Sequence, residues 1–202
     1  MLISPPKIIR VLFPSLVFRK ETKKNEIWLT FDDGPDPVAT PFILKILKQE
    51  NIKATFFLVG IQIEKNPKLF QNIIADGHIV ANHTYTHING WLTCNKNYLK
   101  DINRCQKLIP NKLFRPPFGK ISPSQIKRLK KEYKLILWDI LSWDFSKNIH
   151  SNKVKQNVMK NIKAGSIVVF HNNLKSHNHL KKILKETIQE IKKKGFCFST
   201  SW

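Results

Sequence analysis

Short apolar runs of strand length alternate with longer amphipathic segments along almost the whole chain, and this alternation limits the fold more than any other feature. Residues 27–31 read as a strand. Residues 38–50 then read as a helix, with Pro37 just before its start and Phe42, Ile43, Ile46 and Leu47 at helical spacing. Further strands are expected at 53–59, 79–81, 113–114, 135–138, 166–170 and 196–199. Further helices are expected at 67–75, 97–109, 122–131, 153–163 and 180–194. Asp76-Gly77 and Gly165 act as helix stops. Strand–helix alternation repeated about seven times predicts an α/β protein with a parallel sheet, either open or closed into a barrel.

At 202 residues, one domain with a real core is the simplest expectation. The three cysteines, Cys94, Cys105 and Cys197, form no CxxC, which argues against a disulfide framework or a structural zinc site. The formal net charge of +21 suggests an anionic partner: nucleic acid, a membrane surface or an acidic polymer. A compositional account competes with this. Only five of the 35 basic residues are Arg, and Lys, Ile and Asn are abundant throughout, as in an AT-rich genome. The excess is spread thinly, with short runs near Lys127–Lys134 and Lys192–Lys194, and solvated helix faces account for most of it. The N-terminal apolar stretches are broken by Pro and Arg. They are too short to span a bilayer and lack a signal-peptide pattern. Residues 1–24 are therefore expected to form an N-terminal arm, packed on the domain or touching a membrane surface, and residues 25–202 the domain itself. The location is left open: the absence of a visible export signal reads as cytoplasmic, and a role at the cell envelope is equally compatible.

The scarce acids are concentrated. Three of the 14 Asp and Glu residues fall within Thr30-Phe31-Asp32-Asp33-Gly34-Pro35-Asp36, directly after the first strand. A solvated turn is one explanation. The other strand ends favour a second one. Asn82-His83-Thr84-Tyr85-Thr86-His87 follows the third strand, Arg115-Pro116-Pro117-Phe118-Gly119 the fourth, Asp139 to Phe145 the fifth, and His171-Asn172 the sixth. In a parallel α/β fold these ends converge on one face. His83 and His87, at i and i+4, would point the same way on one helical turn. With one carboxylate from Asp32 or Asp33 they make a three-ligand metal site with room for water.

These motifs, in this order, resemble those of the polysaccharide deacetylase family, the NodB homology domain of carbohydrate esterase family 4, over roughly residues 25 to 200. The resemblance implies an irregular (β/α) barrel of about seven parallel strands. It implies a metal-dependent hydrolase that removes N-acetyl groups from the amino sugars of a glycan such as peptidoglycan or a chitin-like polymer. Asp33, His83 and His87 would hold a divalent metal, usually zinc in this family. Asp32 would be the general base on the metal-bound water, oriented by Arg115. His171 would be the general acid, kept protonated by Asp144. The N–H of Phe118 would help to stabilise the oxyanion. Val169 would line the acetyl pocket, where Leu is more usual, and Pro117 and Trp143 would contribute to the substrate groove. The fourth motif departs from the family pattern, with Leu141 in place of Asp and Phe145 in place of Trp. Trp138 is expected in the core, Asp139 in a local structural role, and His78, His150, His177 and His179 outside the site. The expected partner is an N-acetylated glycan, bound by a monomer, with no nucleic acid. The competing readings are a basic nucleic-acid-binding protein, a glycan-binding protein without turnover, and an enzyme acting on a non-sugar amide.

Overall fold

The computed structural model describes residues 3–202; Met1 and Leu2, the first residues of the expected arm, lie outside the described residues. The strands are β1 (Leu16–Val17), β2 (Glu26–Asp33), β3 (Thr55–Leu58), β4 (Ile79–Asn82), β5 (Leu113–Phe114), β6 (Lys134–Ile136), β7 (Ile140–Leu141), β8 (Ile167–His171) and β9 (Cys197–Phe198). The helices are α1 (Lys7–Leu12), α2 (Ala39–Gln49), α3 (Gly60–Lys65), α4 (Pro67–Ala75), α5 (Asn95–Gln106), α6 (Pro123–Leu129), α7 (Ser151–Met159) and α8 (Leu174–Lys193). The sheet runs in the order β1-β6-β5-β4-β3-β2-β8-β7, every neighbouring pair parallel, and β9 adds to the start of β2. It is a curled, barrel-like sheet with helices outside. An antiparallel bridge from Arg19 to Ser166 links the segment after β1 to the foot of β8.

Eight parallel strands lie on this path rather than the expected seven. The unexpected ones, β1 and β7, are two residues each and too short to show an alternating pattern. Helix α8 starts six residues before the expected position 180. Its first turn carries only an exposed Leu174 and polar residues, so no apolar stripe marks it. The start is set by Asn173, whose side chain accepts from Ser176 N–H.

The pleat of β2 sorts its side chains. Ile27, Leu29 and Phe31 face the helix layer and join the main core with Ile43, Leu47 and Leu184. Trp28, Thr30 and Asp32 therefore point to the barrel interior. At its foot, Trp28 packs with Phe57, Ile136 and Trp202, and the Trp202 indole N–H donates to Thr55 Oγ1 at 2.8 Å. Above them the Arg115 guanidinium lies 3.9 Å over the Phe57 ring. Asp32 caps this column, one residue below the strand end. The interior thus changes from apolar at the foot to charged at the mouth.

Candidate active site

The ends of β2, β4, β5, β7 and β8 bring the predicted residues to one mouth. Asp32 stands opposite His171 in the β2–β8 register. Asp33 ends β2 with φ +82°, which turns its carboxylate away from the interior column. The loop after β4 carries His83 and His87. It is not a helical turn. Thr84 and His87 both have positive φ, +65° and +59°, and this looped backbone brings the two rings together, with centroids 5.1 Å apart. Five of the six non-glycine residues at positive φ, namely Asp33, Thr84, His87, Phe118 and Trp143, belong to these motif segments. Strained backbone concentrated in this way is characteristic of functional sites.

Asp33 Oδ1 lies 3.6 Å from His83 Nε2 and 3.2 Å from His87 Nε2. All three donor atoms fall within 4.8 Å of one another. His83 Nδ1 bonds the Arg115 carbonyl at 2.7 Å, which places the proton on Nδ1 and leaves Nε2 as a free donor. Asn173 Nδ2 donates to Asp33 Oδ2 at 2.7 Å, so Oδ1 is the oxygen presented. Burial pushes His83 down to about 4, which keeps it neutral, as a ligand must be. Burial alone would raise Asp33, but the hydrogen bond with His87 and the charge of His171 hold it well below the usual carboxylate range. One carboxylate and two imidazoles, with the outer atoms of Asp33 and His83 braced, fit a divalent cation with open positions.

Two carboxylate pairs flank this cluster. Arg115 is fully buried. Its Nη1 donates to Asp32 Oδ1 at 2.6 Å and to Thr30 Oγ1 at 2.8 Å, and its Nη2 to Leu137 O at 3.0 Å. On the other side Asp144, also fully buried, accepts from His171 Nδ1 and from the His171 backbone N–H, both at 2.7 Å, and from Ser142 Oγ at 3.0 Å. Burial opposes the charge on His171, but Asp144 outweighs it with help from Asp33 and Asp32, and the imidazole rises to about 9.

A cavity of about 360 Å³ joins these groups, lined by Asp32, Asp33, His83, His87, His171 and apolar side chains. Phe118 and Val169 line it; Pro117 and Trp143 do not. Trp143 faces a neighbouring apolar cavity with Pro5, Pro6 and Trp91. Residues not assigned to the site from sequence also line it: Pro116, Trp138, Asn173 and Lys175, together with Leu141 and Phe145 of the altered motif. Trp138 is half-buried: it packs against a core cluster, as expected, and also reaches the cavity wall; Gly119 is free of a Cβ where the indole edge approaches. Phe145 packs edge-on against His171 at 4.9 Å. Asp139 holds Arg10 and Ser166, and His78 accepts from Ala54 N–H, so both are structural.

A parallel barrel with a carboxylate–histidine cluster between a buried Asp–Arg ion pair and an Asp–His pair has the make-up of a hydrolase. A family model described as polysaccharide deacetylase matches residues 19–134. A peptidoglycan-N-acetylglucosamine deacetylase of Bacillus cereus is 33% identical over 192 residues, covering 89% of each chain. The crystal structure of the Bc1960 peptidoglycan N-acetylglucosamine deacetylase, in complex with a naphthalenyl N-oxidanyl-benzamide, superposes with a TM-score of 0.87 at 33% identity, over 92% of this chain and 90% of that one. A family 4 carbohydrate esterase pseudoenzyme from Bacillus anthracis superposes at 0.81 with 25% identity, over 92% and 66%. The chain belongs to the polysaccharide deacetylase family, as a hydrolase of the polysaccharide N-deacetylase class.

Proposed function

We propose that this chain removes the acetyl group from N-acetylglucosamine residues of peptidoglycan, with a divalent metal, zinc, held by Asp33, His83 and His87. The observation that carries this reading is the convergence of that cluster, the Asp32–Arg115 pair and the Asp144–His171 pair on one cavity. The family resemblance supplies the sugar substrate and the zinc. A metal in this position lowers the pKa of bound water and polarises the amide carbonyl.

The chain's own residues complete the chemistry. Asp32, with Oδ1 held by Arg115, accepts the proton of the attacking water. Phe118, exposed and at φ +59°, presents its backbone N–H to the developing oxyanion. His171 has Nδ1 committed to Asp144, so Nε2 carries the proton to the departing sugar amine. Val169 and Leu141 bound an apolar recess for the acetyl methyl, and Trp138 and Phe145 exclude water. The products are acetate and a free amino sugar.

The family fold alone does not guarantee turnover, as the superposed pseudoenzyme illustrates. The reading therefore depends on the side chains, and acetate release tests it. Peptidoglycan and N-acetylglucosamine oligomers are offered to chelated enzyme, zinc-restored enzyme and Asp32→Asn. Release restored by zinc and lost by about 10²–10⁴-fold in Asp32→Asn is expected. Zinc bound without release from either substrate would direct the search to other acetylated amides. Failure to bind zinc would sink the proposal.

A further inference from the structure

Helix α5 has two working faces. Its inner side braces the histidine loop: Asp101 accepts from the N–H groups of Tyr85 and Thr86 at 2.7 and 3.0 Å and from Thr86 Oγ1 at 2.7 Å, and Arg104 lies 3.5 Å over the Tyr85 ring. Its outer side borders a groove of about 890 Å³ towards α6. Lys96, Lys100, Arg104 and Lys107 line this groove from α5 and its C-terminal end, and Arg128 lines it from α6. The other lining residues are amides and one Leu, and no carboxylate is among them. Among the described residues, only Arg104 of the five cations has an acidic neighbour, Glu64 at 4.0 Å.

The spacing of four, four and three residues places the α5 cations on one helix face, about 4.5–6 Å apart along the axis. Like charges at this spacing destabilise a helix modestly. Nothing within the groove offsets that cost, and a concave surface of one sign concentrates counter-charge. A linear polyanion supplies it, because a chain with charges every few ångströms meets several cations at once. The lining contains no aromatic ring, so nucleobases have no stacking platform. We propose that this groove binds a linear phosphate polymer without bases, laid along α5 beside the loop that bears His83 and His87.

Fluorescence anisotropy of the whole chain with end-labelled inorganic polyphosphate tests the assignment. Lys96→Gln/Lys100→Gln/Lys107→Gln is expected to lower the affinity by about tenfold or more and to flatten the salt dependence by about 2 in log–log slope, at roughly 0.7 per lost contact. The control Lys181→Gln/Lys182→Gln/Lys185→Gln, on α8, changes net charge equally and is expected to stay within about twofold. All six lysines are exposed, so both variants keep the fold. The same loss in both variants, or no binding by the wild type, overturns the groove. A single-stranded oligonucleotide of equal charge that binds more tightly than polyphosphate overturns the base-free ligand.

Discussion

The two carboxylate pairs that flank the Asp33, His83 and His87 cluster look alike on paper but differ in kind. Asp32 faces a guanidinium that stays charged at every working pH; Asp144 faces an imidazole that can gain or lose its proton. The first pair sits deep in the barrel column, with Arg115 fully buried and bonded to Thr30 and Leu137 as well. The second pair sits at the end of β8, with Ser142 beneath Asp144 and the His171 ring at the cavity wall. One barrel thus gives the same residue type two different partners. Under the proposed mechanism, the Asp that stays ionised is paired with Arg, and the Asp beside the proton donor is paired with His.

Breaking the fixed pair should have the largest effect. Arg115→Met leaves Asp32 as a buried carboxylate without its partner, a change that costs about 3–5 kcal/mol. Denaturant unfolding should show this loss, and acetate release should vanish with it. The double variant Asp32→Leu/Arg115→Met should regain most of the stability but no activity. Stability unchanged in Arg115→Met would mean that the column does not depend on the pair.

The titrating pair should respond to pH instead. With His171 raised to about 9, the wild-type kcat/KM should fall on an alkaline limb near that value. The sign for stability is the same: the contribution is complete below the unfolded value near 6.5 and is lost as pH climbs through about 9. Asp144→Asn removes the charge that raises His171, so the limb should move towards 6.5. The ratio of wild-type to variant rate should then grow from near unity at pH 6 to about thirtyfold at pH 8. A deficit of constant size across that range would assign Asp144 to positioning alone.

The contrast also explains what the sequence made visible. The four residues were legible because strand ends are short and rich in polar residues, so Asp32, Arg115, Asp144 and His171 stood out against apolar runs; their pairing came from the family resemblance. Parallel topology then required them to converge. The geometry of the histidine loop was not legible, since HxxxH spacing is the same on a helix and on a loop, and only the positive φ of Thr84 and His87 separates the two. The cavity wall was half legible. Trp138 follows an apolar strand and reads as core, while Trp143 follows polar residues and reads as groove. The backbone at Trp143, at φ +67°, sends its side chain to the neighbouring cavity instead. Strands β1 and β7 were invisible because two residues carry no period.

Asn173 lies between the strand of His171 and Asp33, and its effect on turnover should be the smallest. It follows His171 by two residues, caps α8 through Oδ1, and donates Nδ2 to Asp33 Oδ2. It therefore ties the strand that ends in His171 to Asp33, a proposed metal ligand, rather than to either carboxylate pair. Asn173→Asp keeps the cap, since Asp caps as well as Asn, but turns the donor into an acceptor facing Asp33. Zinc affinity, measured by competition with a chromophoric chelator, should fall by about 10–100-fold, the usual effect of losing an outer-shell partner. Helix content should not change, and kcat at saturating zinc should remain close to wild type. Asn173→Ala should lose the same zinc affinity and also about 1 kcal/mol of stability with the cap. If the Asp and Ala variants differed in zinc affinity but not in stability, the cap would be dispensable and the charge facing Asp33 would be the dominant influence on the ligand.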